Sequence, residues 1–294
     1  MSELSSLSAD LSRIASAAAV NAVRVRARRG PSASGFVWRP GFVVTAEEAI
    51  ETDDHIEVTL ADGTASTATL AGRDPSTDIA LLRCDAALGT APVAAPAAQL
   101  GQLALALGAG RHGPMTALAM ISTVSGPWQS QRGGQIEQFL GLDMRFDPRL
   151  EGAALLSPEG GLIGMVAAGP RQHLLAIPAA TIERVAAILQ SKGRIARGYL
   201  GLGLQPVEVA PAAGAAEKRR GVMVVSVDES GPGKAAGVLQ GDIIMSWNAD
   251  PVGSVRGVMR KLTTGNVGQD IDLALLRAGA PAAARLTIGE RPPT

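Results

Sequence analysis

Residues 72–82 read GRDPSTDIALL, a polar stretch that passes directly into an apolar run. Aspartate followed by proline at Asp74-Pro75 favours a turn. The run from Ile79 to Arg83 has the length and composition of a short strand, and Cys84 follows it as a buried structural thiol. The stretch therefore predicts a turn and a strand. Because Cys84 is the only cysteine, an internal disulfide is excluded.

Similar short β-type runs lie on both sides of this stretch, separated by turn signals such as Asp62-Gly63. No helical pattern separates them. The further runs are Gly35 to Thr45, His55 to Leu60, Ala65 to Leu70, Leu103 to Leu107, Ala117 to Val124 and Leu162 to Val166. Many closely spaced strands without interleaved helices predict an all-β barrel or sandwich.

Helical patterns border this β-rich region. Pro178 to Lys192 reads as a helix that ends at Gly193. Residues 4 to about 22 predict an amphipathic helix that packs on the body. Its apolar face is Leu4, Leu7, Leu11, Ile14 and Ala18.

A second β-rich unit follows from Gly198 to about Ile288. It contains one helical pattern, Ser254 to Leu262, which a serine cap begins. The Ala/Pro/Gly-rich segment Ala210 to Arg220 reads as an exposed loop inside this unit.

The composition is that of an ordinary globular protein. A length of 294 residues suits two domains, and 46% of the residues are apolar and 18% charged. A formal net charge of zero and a pI near 6.9 argue against a nucleic acid or an anionic membrane as partner. The basic run Arg24, Arg26, Arg28 and Arg29 alternates with apolar residues and reads as the solvent face of a strand.

The sequence shows no membrane span and no leader. No window reaches the roughly 18 uninterrupted apolar residues that a spanning helix needs. The N-terminus lacks the basic start and apolar core of a signal peptide. We therefore expect the chain as given in the cytoplasm, or in the periplasm if a leader was removed.

Four segments, in order, resemble the HtrA/Deg family of trypsin-like proteases. GFVVT at Gly41 to Thr45 resembles the family strand G-Y-I-V-T, and Gly72 to Leu82 resembles G-x-D-P-x-T-D-x-A-V-L. Asp143 to Gly164 runs in register with D-A-x-I-N-P-G-N-S-G-G-P-L and the strand that follows it, and Ala176 to Pro178 resembles F-A-I-P. The resemblance implies a mainly β fold: an N-terminal helical segment over residues 1–22, then a trypsin-like double β-barrel over residues 23–193.

The second unit resembles a PDZ domain over residues 198–290. RGYLG at Arg197 to Gly201, AAGVLQGDII at Ala235 to Ile244 and LLRAG at Leu275 to Gly279 carry this resemblance. PDZ domains add an extended C-terminal peptide to a sheet edge and hold its carboxylate with backbone N–H groups. The implied peptide-binding residues are Tyr199, Leu200, Gly201, Leu202, Gly203, Leu204, Val255, Val258, Met259 and Leu262. For Val258 and Leu262, a role in the core is equally open.

The family register places Glu48 at the catalytic His position, Asp78 at the Asp position and Glu151 at the Ser position. Hydrolysis by this fold needs a Ser hydroxyl activated by a neutral His that a buried Asp orients. A carboxylate at the Ser position is a weak nucleophile and adds negative charge where an oxyanion must develop. Arg149 and Leu150 also replace the Gly-Asn that shapes the oxyanion hole. The resemblance therefore implies an HtrA-like pseudoprotease that is not an enzyme, without a cofactor or metal.

Three carboxylates at neighbouring triad positions cannot all stay ionised without compensation. One or two take up a proton, Arg149 or Arg145 folds in, or a hard cation such as Ca²⁺ or Mg²⁺ binds. A local salt bridge to arginine is the favoured alternative.

No other Ser and His form a recognisable pair. His55 reads as an exposed strand residue, His112 lies in a turn, and His173 lies in a loop near the old specificity pocket. Ser34 precedes a strand and Ser157 begins a turn. A relocated Ser–His dyad is therefore disfavoured.

The preferred hypothesis is a non-catalytic HtrA-like protein with a regulatory or scaffolding role, which binds peptides or protein C-termini through its PDZ domain. Two alternatives stay open: an active HtrA-type serine endopeptidase of protein quality control, and a structural subunit that assembles with an active homologue. A homotrimer is the assembly that the resemblance suggests.

Overall fold

The computed structural model describes residues 3–27, 32–51, 55–87, 89, 91–130, 132–169, 173–209, 219–262 and 266–291. Arg28, Arg29 and residues 210–218 of the predicted loop lie outside the described residues. The chain divides into two compact units, residues 1–195 and 196–294, each described by itself. Two closed β-barrels followed by a smaller sheet confirm the expected fold class.

Six strands close the first barrel in the order β1-β2-β3-β6-β5-β4. They are β1 (Ala22–Ala27), β2 (Ala33–Arg39), β3 (Phe42–Thr45), β4 (Ile56–Thr59), β5 (Ala65–Asp74) and β6 (Ile79–Arg83). In β1, Val23 and Val25 are buried in the barrel while Arg26 is exposed, so the alternation seen in the sequence sets the inner face. Cys84 is buried in the same core.

A second group of six strands closes the other barrel in the order β11-β14-β13-β12-β7-β8. The strands in this region are β7 (Leu103–Gly110), β8 (Gly113–Ser125), β9 (Trp128–Gln129), β10 (Gln135–Ile136), β11 (Phe139–Asp143), β12 (Ala154–Leu156), β13 (Leu162–Ala168) and β14 (Leu174–Pro178). β9 and β10 form a separate two-stranded hairpin. Closing both sheets leaves neither barrel with an open edge.

Two helices flank the barrels, α1 (Glu3–Ala19) and α2 (Ala179–Lys192). α2 ends as predicted at Gly193, which takes the left-handed conformation (φ +71°) that glycine adopts without strain. The predicted apolar face of α1 is only partly correct. Ile14 and Ala18 are buried against the core, but Leu4 and Leu7 are 75% and 44% exposed, because only the second half of the helix packs on that core.

The second unit is built on a sheet in the order β16-β17-β18-β20-β21, with β19 paired to β18 and a separate β15–β22 pair. Its elements are β15 (Gly198–Tyr199), β16 (Leu202–Val209), β17 (Arg219–Val227), α3 (Pro232–Ala235), β18 (Ile243–Trp247), β19 (Asp250–Pro251), α4 (Val255–Lys261), β20 (Asp270–Arg277), β21 (Ala280–Thr287) and β22 (Gly289–Glu290). Ser254 caps α4, since its Oγ accepts from the Gly257 N–H at 3.1 Å.

An ion pair fixes the end of β20 to the turn before β18. Both Asp242 oxygens accept from Arg277 at 2.8 Å, and Asp242 is only 1% exposed. Hydrogen bonding to Arg277 holds the pKa of Asp242 below its ordinary value. Asp242 of the motif AAGVLQGDII and Arg277 of the motif LLRAG are therefore structural partners.

Candidate functional site

Three acidic side chains from separate segments meet in the first unit. Glu48 lies in a 3₁₀ helix (Glu47–Ala49) after β3, and Asp78 lies in the turn between β5 and β6. Glu151 directly follows a second 3₁₀ helix (Pro148–Leu150) between β11 and β12. The Glu48 backbone N–H donates to Asp78 Oδ1 at 3.0 Å, and burial, with the charges of both glutamates, raises the pKa of Asp78. The structure thus brings the carboxyl groups predicted from the family register together.

Burial is the main cause of the perturbed titration at this site. It raises the pKa of Asp78 to about 7, against the hydrogen bond from Glu48 N–H, and the charges of Glu151, Glu48 and Glu47 act in the same direction as burial. Burial and the charge of Glu48 also raise the pKa of Glu151. Burial therefore favours the protonated forms of Asp78 and Glu151, and it brings the pKa of Asp78 to about 7.

The arginine beside the cluster is Arg132, from the turn between β9 and β10. Its Nη2 lies 3.4 Å from Glu48 Oε1, and its Nη1 lies 3.8 Å from Glu47 Oε2. An arginine salt bridge was the favoured alternative, but Arg149 is not the residue that provides it. Arg149 instead forms a two-pronged pair with Asp147, two residues earlier, because the 3₁₀ turn places these side chains side by side.

Glu47 is a residue that the sequence analysis missed. It is buried, and its Oε1 lies 2.7 Å from Arg73 Nη2, which also donates to the carbonyl of Ile50 at 2.6 Å. The Glu47 N–H donates to the Asp78 carbonyl at 3.2 Å. These bonds anchor the 3₁₀ helix that carries Glu48. The adjacent pair Glu47-Glu48 was visible in the sequence, but no local pattern showed which of the two points inward.

Two backbone amides at the expected oxyanion hole, those of Arg149 and Glu151, already have acceptors. Arg149 N–H donates to Asp147 Oδ1 at 3.0 Å, and Glu151 N–H donates to the Pro148 carbonyl at 3.2 Å. The arrangement is that of a capped 3₁₀ turn. In this arrangement, an oxyanion would have to compete with Asp147 for the first of these donors.

Ser34 fixes this turn from the opposite barrel. Its Oγ donates to the Arg149 carbonyl at 2.5 Å and accepts from Ala109 N–H at 3.0 Å, and its own N–H donates to the Glu151 carbonyl at 2.8 Å. Ser34 is fully buried. Its hydroxyl is therefore engaged in packing the two barrels together.

Among the described residues, the histidines form no hydroxyl–imidazole pair. His55 is exposed and comes just before β4, His112 is exposed in the turn between β7 and β8, and His173 is exposed just before β14. Ser157 Oγ accepts from two backbone amides of its own turn. Within the described part of the chain, no serine or threonine hydroxyl hydrogen-bonds to a histidine.

A cavity of about 350 Å³ opens beside Glu48 and Asp78. Its wall combines apolar side chains with carboxyl groups and the guanidinium of Arg132. The lining residues are Glu48, Pro75, Ser76, Thr77, Asp78, Trp128, Ser130, Arg132, Ile136, Ala167, Ala168, Gly169, Leu175 and Ile177. Such a mixed cavity suits side chains of an extended peptide.

The described residues show neither a metal-binding cluster nor a membrane-spanning helix. No group of three or more His, Cys, Asp or Glu side chains there is arranged to hold a metal ion. None of the described helices combines the length and the hydropathy needed to span a membrane.

The loop before β16 in the second unit is rigidly held. Leu200 and Gly201 carbonyls accept from the N–H groups of Gly233 and Asp228 at 2.7 and 2.8 Å, and Tyr199 Oη donates to Asp228 at 2.6 Å. Gly201 has φ +70°, and a Cβ there would lie 2.7 Å from Gly231 Cα. Only glycine fits at position 201 of this loop.

The proposed groove residues differ in burial. Val258 and Leu262 belong to the hydrophobic core at 0% and 8% exposure, so packing accounts for them. Val255 and Met259 on α4, with Leu202 and Leu204 on β16, are half-buried at the margin of the core, and Gly203 lies between the two leucines. These half-buried side chains are the ones available to a ligand.

Two domain families match the chain. Residues 33–165 match the trypsin-like peptidase domain, and residues 198–288 match the PDZ domain. A probable periplasmic serine endoprotease, DegP-like, from Chlamydia trachomatis is 28% identical over 284 residues. One from Rhizobium meliloti is 27% identical over 301 residues. Each alignment covers 92% of this chain but only 56% and 57% of the relative, so the chain spans about half the length of these relatives.

Solved structures show the same architecture over nearly the whole chain. The serine endoprotease from Yersinia pestis is 27% identical, with a TM-score of 0.75 and coverage of 96% of this chain and 98% of that one. The HtrA-type protease AlgW with a tripeptide is 26% identical, with a TM-score of 0.69 and coverage of 97% and 98%.

These names contradict the prediction that the chain is not an enzyme, since the relatives are named as serine endoproteases. The motifs identify only the residues at positions 48 and 151. They do not decide activity, because hydrolysis depends on every group in the site. The chain is a homologue of the DegP/HtrA serine endoproteases, built from a trypsin-like peptidase domain followed by a PDZ domain.

Proposed function

We propose that this chain is an HtrA-type endopeptidase of protein quality control that holds polypeptides by their C-termini through its PDZ domain. The named serine endoproteases among its relatives support the activity, and the matching PDZ domain supports the binding. The observation that carries the proposed site is that Glu48 and Asp78 line a cavity of about 350 Å³, with Glu151 near enough for its charge to act on Asp78. These three residues occupy the positions of the triad.

Acid–base chemistry by carboxyl groups is the reaction that this site offers. A pKa of about 7 lets Asp78 hold a proton and release it at neutral pH, as a general acid or base must. Pairs of carboxyl groups in different protonation states catalyse hydrolysis in other proteases. Water is the only co-reactant required.

In the first step, an ionised carboxylate, Glu48 or Glu151, takes a proton from water while the water oxygen bonds to the peptide carbonyl carbon. Protonated Asp78 gives its proton to the carbonyl oxygen, so a neutral diol forms. The diol then loses one hydroxyl proton to a carboxylate, the C–N bond breaks, and the amine leaves with a proton from a carboxyl group. This route needs no oxyanion amide, which agrees with the amides of Arg149 and Glu151 being already hydrogen-bonded.

The test is digestion of casein and of a fluorogenic peptide by the purified full chain. We expect cleavage that survives a serine-directed fluorophosphonate, because no serine takes part. Asp78→Asn should abolish cleavage, and so should Glu48→Gln combined with Glu151→Gln. Glu159→Gln, an exposed carboxylate in the turn before β13, is the matched control and should cleave normally.

Two outcomes would contradict the proposal in different ways. Absence of cleavage above buffer would refute the endopeptidase. Cleavage that the fluorophosphonate stops would place the nucleophile on a serine and refute the roles of the three carboxyl groups.

The proposal includes domain limits and a compartment. The N-terminal helical segment is residues 1–22, the peptidase domain residues 23–193 and the PDZ domain residues 198–290. The periplasm is proposed because the curated relatives are named as periplasmic. The peptide-binding residues are Tyr199, Leu200, Gly201, Leu202, Gly203, Leu204, Val255 and Met259, with Val258 and Leu262 supporting them from the core. A homotrimer is the proposed assembly, which light scattering tests.

A further inference from the structure

β16 is an edge strand of the PDZ sheet, since it pairs with β17 on one side and ends the strand order. α4 packs beside it. An edge strand exposes the N–H and C=O groups of every second residue, and these are the groups to which an added peptide strand bonds. Which residues of β16 face the open edge therefore decides how far a peptide ladder can run.

The hydrogen bonds of β17 determine which residues of β16 face the open edge. Val224 N–H donates to the Asp242 carbonyl, and its C=O accepts from Gly241 N–H, both at 2.8 Å, so Val224 faces the β18 side. Val222, two residues earlier, faces the same side by strand alternation. Pro206 lies opposite Val222 in the antiparallel register. The backbone of Pro206 therefore points away from β17, toward the open edge.

A hydrogen bond at the other end of β16 independently indicates that Pro206 faces the open edge. The Gly201 carbonyl accepts from Asp228 N–H at 2.8 Å, so Gly201 faces β17. Alternation then turns Leu202, Leu204 and Pro206 outward. Proline has no N–H, and within sheets it occupies an edge strand with its nitrogen on the unpaired side. Leu202 and Leu204 offer both a donor and an acceptor to a peptide, whereas Pro206 offers only its carbonyl.

We propose that Pro206 limits the peptide ladder of this PDZ domain to the last four residues of a bound C-terminus. This inference rests on the proposed peptide binding. With the terminal residue opposite Leu202 and the third from the end opposite Leu204, the fifth from the end lies opposite Pro206. Its carbonyl finds no donor there, so residues from the fifth onward add little affinity.

Fluorescence anisotropy with the full chain tests this length limit. The probes are labelled peptides of three to eight residues that share three C-terminal valines and carry alternating Ser and Ala upstream. For the unmodified protein, we expect affinity to rise up to four residues and then level off. In Pro206→Ala, the eight-residue peptide should bind roughly fivefold more tightly, the value of about one added backbone hydrogen bond, while the four-residue peptide is unchanged.

Pro281→Ala is the matched control, because Pro281 is an exposed proline in β21, the opposite edge strand of the same sheet. It should leave both affinities unchanged. An eight-residue peptide ending in an amide reports on the proposed function itself: if the amide binds as well as the free acid, or if no peptide binds, carboxylate-dependent recognition fails. If free acids bind but affinity grows evenly to eight residues, or Pro206→Ala changes nothing, the length limit is refuted while peptide binding stands.

Discussion

Replacing Asp78 with asparagine tests the electrostatic description of the site. Asparagine keeps an oxygen to accept the Glu48 N–H but removes the charge. The pKa of Asp78 is about 7 in the folded chain against an ordinary 3.8. A difference of roughly 3 pKa units corresponds to a ceiling of about 4 kcal/mol. Because the charge is shared among several coupled carboxyl groups, we expect Asp78 to contribute about 2 kcal/mol to the pH dependence of the free energy of unfolding.

The sign follows from proton binding. A raised pKa means that the folded state holds the proton more tightly than the unfolded state, so the stabilisation is complete below about pH 4. It is lost as the pH rises through 7. The unmodified chain should therefore lose stability between about pH 4 and pH 7, and Asp78→Asn should lose about 2 kcal/mol less over that interval.

Urea unfolding followed by tryptophan fluorescence measures this difference. A Trp247→Phe background leaves Trp38 and Trp128 as reporters of the first unit alone. The control is Asp85→Asn, which removes a highly exposed carboxylate from the same barrel and should keep the pH slope of the parent. Equal slopes in Asp78→Asn and its parent would show that Asp78 titrates as an ordinary exposed carboxyl group, and the proposed acid–base role would fail with it.

Two further substitutions test the packing that positions the sites. Ser34→Ala should lower the free energy of unfolding of the first unit by about 2 kcal/mol, because it leaves Ala109 N–H buried without its acceptor. Urea unfolding measures this loss, and an unchanged midpoint would refute it. Arg277→Ala should lower the Tm of the second unit by several degrees by leaving Asp242 buried and unpaired. Arg285→Ala, which breaks an exposed pair, should leave that Tm unchanged in calorimetry, and equal effects of the two would contradict the difference in burial.

Several strand positions were predictable from the sequence because they are local, but the run Gly35 to Thr45 forms two strands, and β11 and β12 were not predicted. Alternation in β1 and the turn before β6 fix which side chains face inward, and Gly193 and Ser254 mark helix ends by their own backbone and capping chemistry. The partners of the charged groups were not predictable. Arg149 was expected at the carboxyl cluster, but it bonds to its near neighbour Asp147, and Arg132 reaches Glu48 from a distant hairpin.

The sequence by itself determined the architecture of this protein, a trypsin-like double barrel and a PDZ domain, and it predicted carboxyl groups at the triad positions. Periodicity, turn residues and motif order encode such features within short segments. Only the tertiary structure decided that burial moves the pKa of Asp78 to about 7. The same holds for the hydrogen bond that Asp147 accepts from the Arg149 amide, and for the orientation of Pro206 toward the open edge of its sheet. Each of these depends on what lies across a fold from the residue concerned, and solvent exclusion and strand pairing are properties of the assembled chain.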